Sequence, residues 1–427
     1  MRTRVKLFSV LLSLVMVISV VNPLCLGVQA KENNSDITFS KNDYQNEWGT
    51  TYPIVPEDSY WSNLSYTEQL NASNMPDDLL AKCSTDELAD LVLAYPFLID
   101  ILAFDNAEQG IEHLKNTSNI CEKLFSKDDA MDILLKKYDE LKVDYQMLSD
   151  SYDNSKDVLR ISGYVKELFL QNYFAVKIES MDKVEKQKLK QIIGEKYEMK
   201  KGICDDYATG LLIFDQIQSK YGNVSRELIP DNIYNDLTND KYEKSNLSDF
   251  NSSGTTGTLG NGATYTIGTY TLYGKTVGCY KYYSGDYTTT EQSNINTSFD
   301  STHTSWSRIY TCTKKYNCHS FAWINSSSSN VYWLNNPDFY SGSSSFTYTG
   351  TNGSASTGNK IIIQGSMASD DGFGNSTYAI HSLNASSSGS NSTSIKTTSK
   401  LGNIGVYSAP LIDMMGFYSG FAYKVYK

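Results

Sequence analysis

The apolar positions of this chain change period partway along. In the first half they recur at three- and four-residue spacing: Ala130, Ile133, Leu134 and Tyr138 fall on one helical face, and Val165, Leu168, Phe169 and Phe174 on another. Helix-start signals precede such runs. Ser84-Thr85-Asp86-Glu87 has capping-box spacing ahead of Leu91, Leu93 and Phe97, with Pro96 as an interruption, and Asp105-Asn106-Ala107-Glu108 and Ser126-Lys127-Asp128-Asp129 are two more starts. Past about residue 245 the helical period gives way to alternation. Ala263 to Tyr273, Gly274 to Tyr283, Lys360-Ile361-Ile362-Ile363, Thr377 to Leu383 and Thr393 to Thr398 read as strands between turn residues. The expected fold class is α+β, with an N-terminal helical domain followed by a β-rich one.

Domain limits follow from composition. Residues 1–30 carry Arg2, Arg4 and Lys6, an apolar run from Leu7 to Val21 and the small-residue end Val28-Gln29-Ala30, the pattern of a secretory signal peptide. The run is too short to span a bilayer, and no later stretch is apolar for long enough. Cys25 follows Asn22-Pro23-Leu24, without the small residues that precede a lipid-modified cysteine. Release to the medium or loose wall association is expected. Residues 31–65 read as a flexible polar leader and 66–225 as an acidic helical domain. Residues 226–262 read as a linker, including Asn251-Ser252-Ser253-Gly254-Thr255-Thr256-Gly257, and 263–427 as the second domain.

Charge supports that division and narrows the partners. The chain holds 48 acidic and 37 basic residues, an excess that argues against nucleic acid. From Asn251 onward there are seven acidic and ten basic residues, so the acidity belongs to the helical half. Six cysteines follow the signal, with no Cys-x-x-Cys pair and four histidines in all, so neither a metal nor another cofactor is expected. Export permits disulfides within the Cys83/Cys121 or Cys279/Cys312 sets, with connectivity open. Glycosylation sequons such as Asn63, Asn116 and Asn296 follow from an Asn- and Ser-rich composition. Oligomeric state is not legible.

Candidate chemistry centres on Lys315-Tyr316-Asn317-Cys318-His319-Ser320-Phe321-Ala322-Trp323. Asn317 is a good N-cap, which places Cys318 in the first helical turn, where the helix dipole favours a thiolate and a nucleophilic sulfur. His381 lies in the strand-like Thr377–Leu383 and is the candidate partner. The bland alternative for Cys318 is a buried apolar thiol, and for His381 alone a satisfied core or surface histidine. His319, adjacent to the cysteine, points about a third of a turn away on a helix and is a poor base. His303 reads as a solvated loop residue, with a place lining the same cleft as the alternative.

The order of these elements resembles the papain-like cell-wall amidases and peptidases of the NlpC-type and CHAP groups. The resemblance covers roughly residues 310–410, through Asn317 to Trp323, Gly358-Asn359-Lys360-Ile361-Ile362-Ile363, Ile380-His381-Ser382 and Ser399-Lys400-Leu401-Gly402. It implies a papain-like domain with the nucleophile-bearing helix packed on an antiparallel sheet. Cys318 would be nucleophile, and His381 general base and then acid. Ser399 would orient the imidazole, ahead of Lys400 or Asn403. The Tyr-x-x-Gly-Gly approach of many NlpC-type enzymes is absent. The implied activity is cleavage of amide bonds in peptide or peptidoglycan through a thioester, and the competing class is an inactive extracellular binding module of the same fold. Lys201-Gly202-Ile203-Cys204-Asp205-Asp206 resembles a transglutaminase-like nucleophile motif, but the next histidine is His303 and a core cysteine is the favoured reading.

Overall fold

Capping chemistry sets several helices where the sequence places them. In this computed structural model, which describes residues 40–46, 49–143, 158–200, 250–258, 263–370 and 373–427, the N-terminal half is helical. Its helices of seven or more residues are α1 (Tyr66–Ala72), α2 (Thr85–Leu93), α3 (Ala107–Thr117), α4 (Asn119–Phe125), α5 (Ala130–Glu140), α6 (Val158–Lys177) and α7 (Lys183–Lys200). The Ser84–Glu87 box closes at the start of α2: the Ser84 hydroxyl accepts the Glu87 N–H and the Glu87 carboxylate accepts the Ser84 N–H. Asn106 caps α3 by accepting the Gln109 N–H, 2.9 Å away, on its side-chain oxygen. Pro96 lacks an amide hydrogen and bars a regular helix past it, so α2 stops at Leu93 and the chain resumes as a 3-10 stretch, Leu98–Ala103, whose six residues are all buried.

Two antiparallel sheets make up the second half. The smaller has the order β1 (Phe250–Thr258), β2 (Thr264–Leu272), β3 (Lys275–Ser284), β5 (Tyr332–Trp333). The larger uses β4 (Ser307–Tyr310), β6 (Tyr348–Thr351), β7 (Lys360–Asp370), β8 (Ser376–Ala385), β9 (Lys396–Lys400), β10 (Val406–Pro410) and β11 (Ala422–Tyr426), in the order β4-β10-β9-β8-β7-β11-β6. Helix α8 (Thr289–Thr302) leads into this sheet, α9 (Cys318–Trp323) packs over β8 and β9, and α10 (Leu411–Phe417) follows β10. Ile361, Ile362 and Ile363 of β7 are fully buried, each stabilising the sheet by about 1.5–3 kcal/mol. The architecture is α+β, as the change of period implies.

The helical half and the sheets share a core, and Lys41–Lys427 forms one compact unit. Trp61, in the segment expected to be a flexible leader, is fully buried, and its indole N–H donates to the Thr302 carbonyl. Gln69 reaches Thr304 and Tyr164 reaches Glu291. Strand β1 occupies part of the expected linker; most of the rest of that linker, Cys204 and the signal segment lie outside the described residues. Cys83, Cys121, Cys279, Cys312 and Cys318 are free, so neither of the disulfide sets that export would permit is linked. His303 is not solvated: it is 1 % exposed, packed on Phe299 and paired with Asp100. Among the described residues no helix is long and apolar enough to cross a membrane.

Candidate active site

Asn317 ties three segments together at the start of α9. Its side-chain oxygen accepts the N–H of Ser320, as an N-cap should, and that of Leu334, while its amide nitrogen donates to the Leu334 carbonyl and to Asp105 Oδ2 at 2.9 Å. The helix face behind it is apolar. Ala322 and Trp323 pack with Ile362 and Ala379 of the large sheet, which fixes the depth at which Cys318 enters.

A bulge in β8 decides what meets the sulfur. Ala379 pairs with Gln364, His381 with Ile363 and Ser382 with Ile362, so Ile380 and His381 together oppose one residue of β7. Alternation slips by one, and Ala379 and Ser382 both face α9 although three positions apart. Ser382 Oγ accordingly takes the Trp323 indole N–H at 3.1 Å and meets His319 Nδ1 at 2.8 Å. The His381 ring stacks on Tyr418 with centroids 3.7 Å apart.

Strands β8 and β9 pair only at Asn384–Thr398 and Ala385–Thr397. Where they part, side chains serve the Ser382 backbone. The Ser399 hydroxyl lies 2.8 Å from the Ser382 carbonyl and 2.6 Å from His381 Nε2, and the Ser382 amide is placed to favour a thiolate at Cys318. Ser399 has one hydrogen to give. Donating it to the carbonyl leaves the hydroxyl to accept from Nε2–H, which puts the imidazole in the tautomer with an unprotonated Nδ1. No hydrogen bond joins the Cys318 sulfur to the His381 ring among the described residues; the amide that directly follows His381 favours charge on the sulfur.

Electrostatics reverse one expectation. Burial, and then the Asp105 carboxylate, push the Cys318 thiol well up, outweighing the amides of Ser382 and His319 and the Lys400 charge that favour thiolate. A six-residue helix contributes too small a dipole to overcome this. Burial holds His381 well below the ordinary imidazole range, with the neighbouring His319 adding to the effect. Resting thiol and imidazole are therefore both neutral. Lys400, the alternative third residue, is fully buried, donates to the carbonyls of Thr313 and Gly402, and is pushed down to about 8 by burial.

The helical half covers this centre. Cys318 and His381 are 2 % and 1 % exposed. The Asn403 N–H donates to Leu102 O at 2.7 Å, Tyr418 Oη to Ala103 O at 2.9 Å, and Asp105 sits on Asn317. Gly402 has φ +38°, and a Cβ there would come within 2.5 Å of the Ala103 and Phe104 backbone, so only glycine lets the two segments approach this closely. Asp105 and Tyr418 were not legible as site residues. His319 is closer to the chemistry than its place in the helix implied: a ring nitrogen, the Cys318 sulfur and an Asp105 oxygen all lie within 4.8 Å of one another. No family model, curated protein or solved structure matches the chain.

Proposed function

We propose that the chain is a secreted, papain-like cysteine amidase or peptidase, with Cys318 as nucleophile and His381, oriented by Ser399, as general base, acting on amide bonds in peptide or peptidoglycan. The observation that carries this reading is the junction at Ser382. The Ser382 amide favours a thiolate at Cys318, and the Ser382 carbonyl accepts the hydroxyl that holds the imidazole, immediately after the histidine itself. A neutral pair sets the order of events. As sulfur attacks the substrate carbonyl, Nδ1 takes the thiol proton; the amine then leaves with that proton as the thioester forms, and water attacks the thioester with Nδ1 again as base. The amides of His319 and Ser382 favour negative charge on sulfur as the proton departs.

The covered thiol makes this a latent form, closed by residues 98–106. Activity on wall material and on peptide amides, followed by mass analysis of the fragments, is expected to rise after limited proteolysis of the helical half and to be absent in Cys318→Ala throughout. Equal release by the alanine variant removes the assignment. The burial of the sulfur favours a second reading, a binding module of the same fold with an inert core thiol. Under that reading opening the cover exposes no reactivity at Cys318.

A further inference from the structure

We propose that Asp105, Cys318 and His319 form a site for a thiophilic divalent cation, best matched by Zn2+, that joins the helical cover to the nucleophile helix. The carboxylate oxygen, sulfur and ring nitrogen already lie within 4.8 Å of one another. Around a tetrahedral Zn2+ such atoms stand about 3.3–3.8 Å apart, so side-chain rotations of about 1 Å complete the contraction and leave a fourth position for water. A carboxylate, a thiolate and an imidazole together are a common zinc donor set.

Both outer ligands are already held from behind, as metal ligands are. Asn317 Nδ2 fixes Asp105 Oδ2 at 2.9 Å and leaves the other oxygen to ligate. Ser382 Oγ engages His319 Nδ1 at 2.8 Å, which leaves Nε2 for the cation. A dication offsets the charge of a thiolate and a carboxylate brought together at one point. Binding displaces the thiol proton and occupies the sulfur, so the cation-loaded chain is covered and chemically silent at Cys318.

The inference does not rest on the amidase reading, because its readout is binding. Full-length protein stripped with chelator is titrated with Zn2+ in two buffers of different ionisation enthalpy, and separately with Co2+ by absorption. The expected results are one equivalent bound with about one proton released near pH 7, and a thiolate-to-cobalt charge-transfer band. Cys318→Ser is expected to remove the band, and Asp105→Asn to weaken Zn2+ binding at least tenfold and cancel the rise in melting temperature that Zn2+ gives the parent chain. An asparagine at 105 can still accept the Asn317 hydrogen bond through its amide oxygen, so that variant keeps the cover docked even if a His319 variant does not fold. Absence of saturable binding, or equal binding by the parent, Cys318→Ser and Asp105→Asn chains, overturns the proposal.

Discussion

His303 Nε2 lies 3.4 Å from Asp100 Oδ1, with both side chains completely enclosed. Asp100 belongs to the 3-10 stretch of the cover and His303 to the end of α8, while His113 of α3 stands 3.5 Å from the other carboxylate oxygen. Burial raises the Asp100 carboxyl, but the two facing histidines outweigh it and hold it below the usual carboxylate range. A depressed carboxyl stabilises the fold above its unfolded value, about 3.9, and that stabilisation is lost as pH falls through the lower folded value. Asp100→Asn is expected to cost about 3–5 kcal/mol near neutrality, since it strands two buried imidazoles. Melting curves against pH test this: the gap between parent and variant should narrow below about pH 4. A gap that widens there is incompatible with the pairing.

Removing the nucleophile has a sharper effect. Cys318→Ala and Cys318→Ser are expected to lower turnover of the opened enzyme by roughly 10^4-fold or more while melting with the parent protein. Turnover comparable to the parent in either variant would falsify the role of the sulfur.

Ser399→Ala separates orientation from attack. It frees the His381 ring and strips the Ser382 carbonyl of its hydroxyl donor, a loss of about 1–3 kcal/mol in stability. Turnover should fall on the order of 100-fold, with nucleophile alkylation slowed and its pH dependence displaced. An unchanged pH profile means that Ser399 is structural only.

Native thiol chemistry should be slow. All five described cysteines are buried, and Cys318 is additionally pushed up beside Asp105, so iodoacetamide is expected to modify the native chain far more slowly than a free thiol near neutral pH. Rapid, selective labelling of Cys318 in the intact chain contradicts the closed arrangement.

Gly402→Ala tests the cover without touching the chemistry. The φ of +38° and the missing space beside Ala103 make the substitution strained, at about 1–3 kcal/mol. Faster amide exchange in residues 98–106 and faster alkylation of Cys318 should appear together. If exchange rises and alkylation does not, that segment is not what shields the sulfur.

Much of this arrangement was legible locally. The Ser84–Glu87 box, the Asn317 cap and the strands carrying His381 and Ser399 depend on residues close in sequence, and there physics and pattern coincide. What escaped depends on distant chain. Asp105 meets Asn317 across 212 positions, a contact set by how the helical half docks rather than by any periodicity. His303 was misplaced because its partner, Asp100, sits in a different element of the helical half. The thiol was misjudged for the same reason: a dipole is visible in the sequence, whereas burial and a facing carboxylate are not. The bulge at Ile380–His381 also left no pattern, since the alternation looks regular on either side of it.

That bulge makes chain length in β8 as consequential as side-chain identity. The extra residue acts as a phase shift, leaving the first part of the strand and the last part reading opposite faces with the same parity. Deleting Ile380 would cancel the shift with every named chemical group still present. Either His381 would rotate toward Trp323 and leave Ser399 and Tyr418, or Thr377 and Ala379 would exchange core for solvent. A single lost residue would thus uncouple the histidine from its hydroxyl partner as thoroughly as mutating either one.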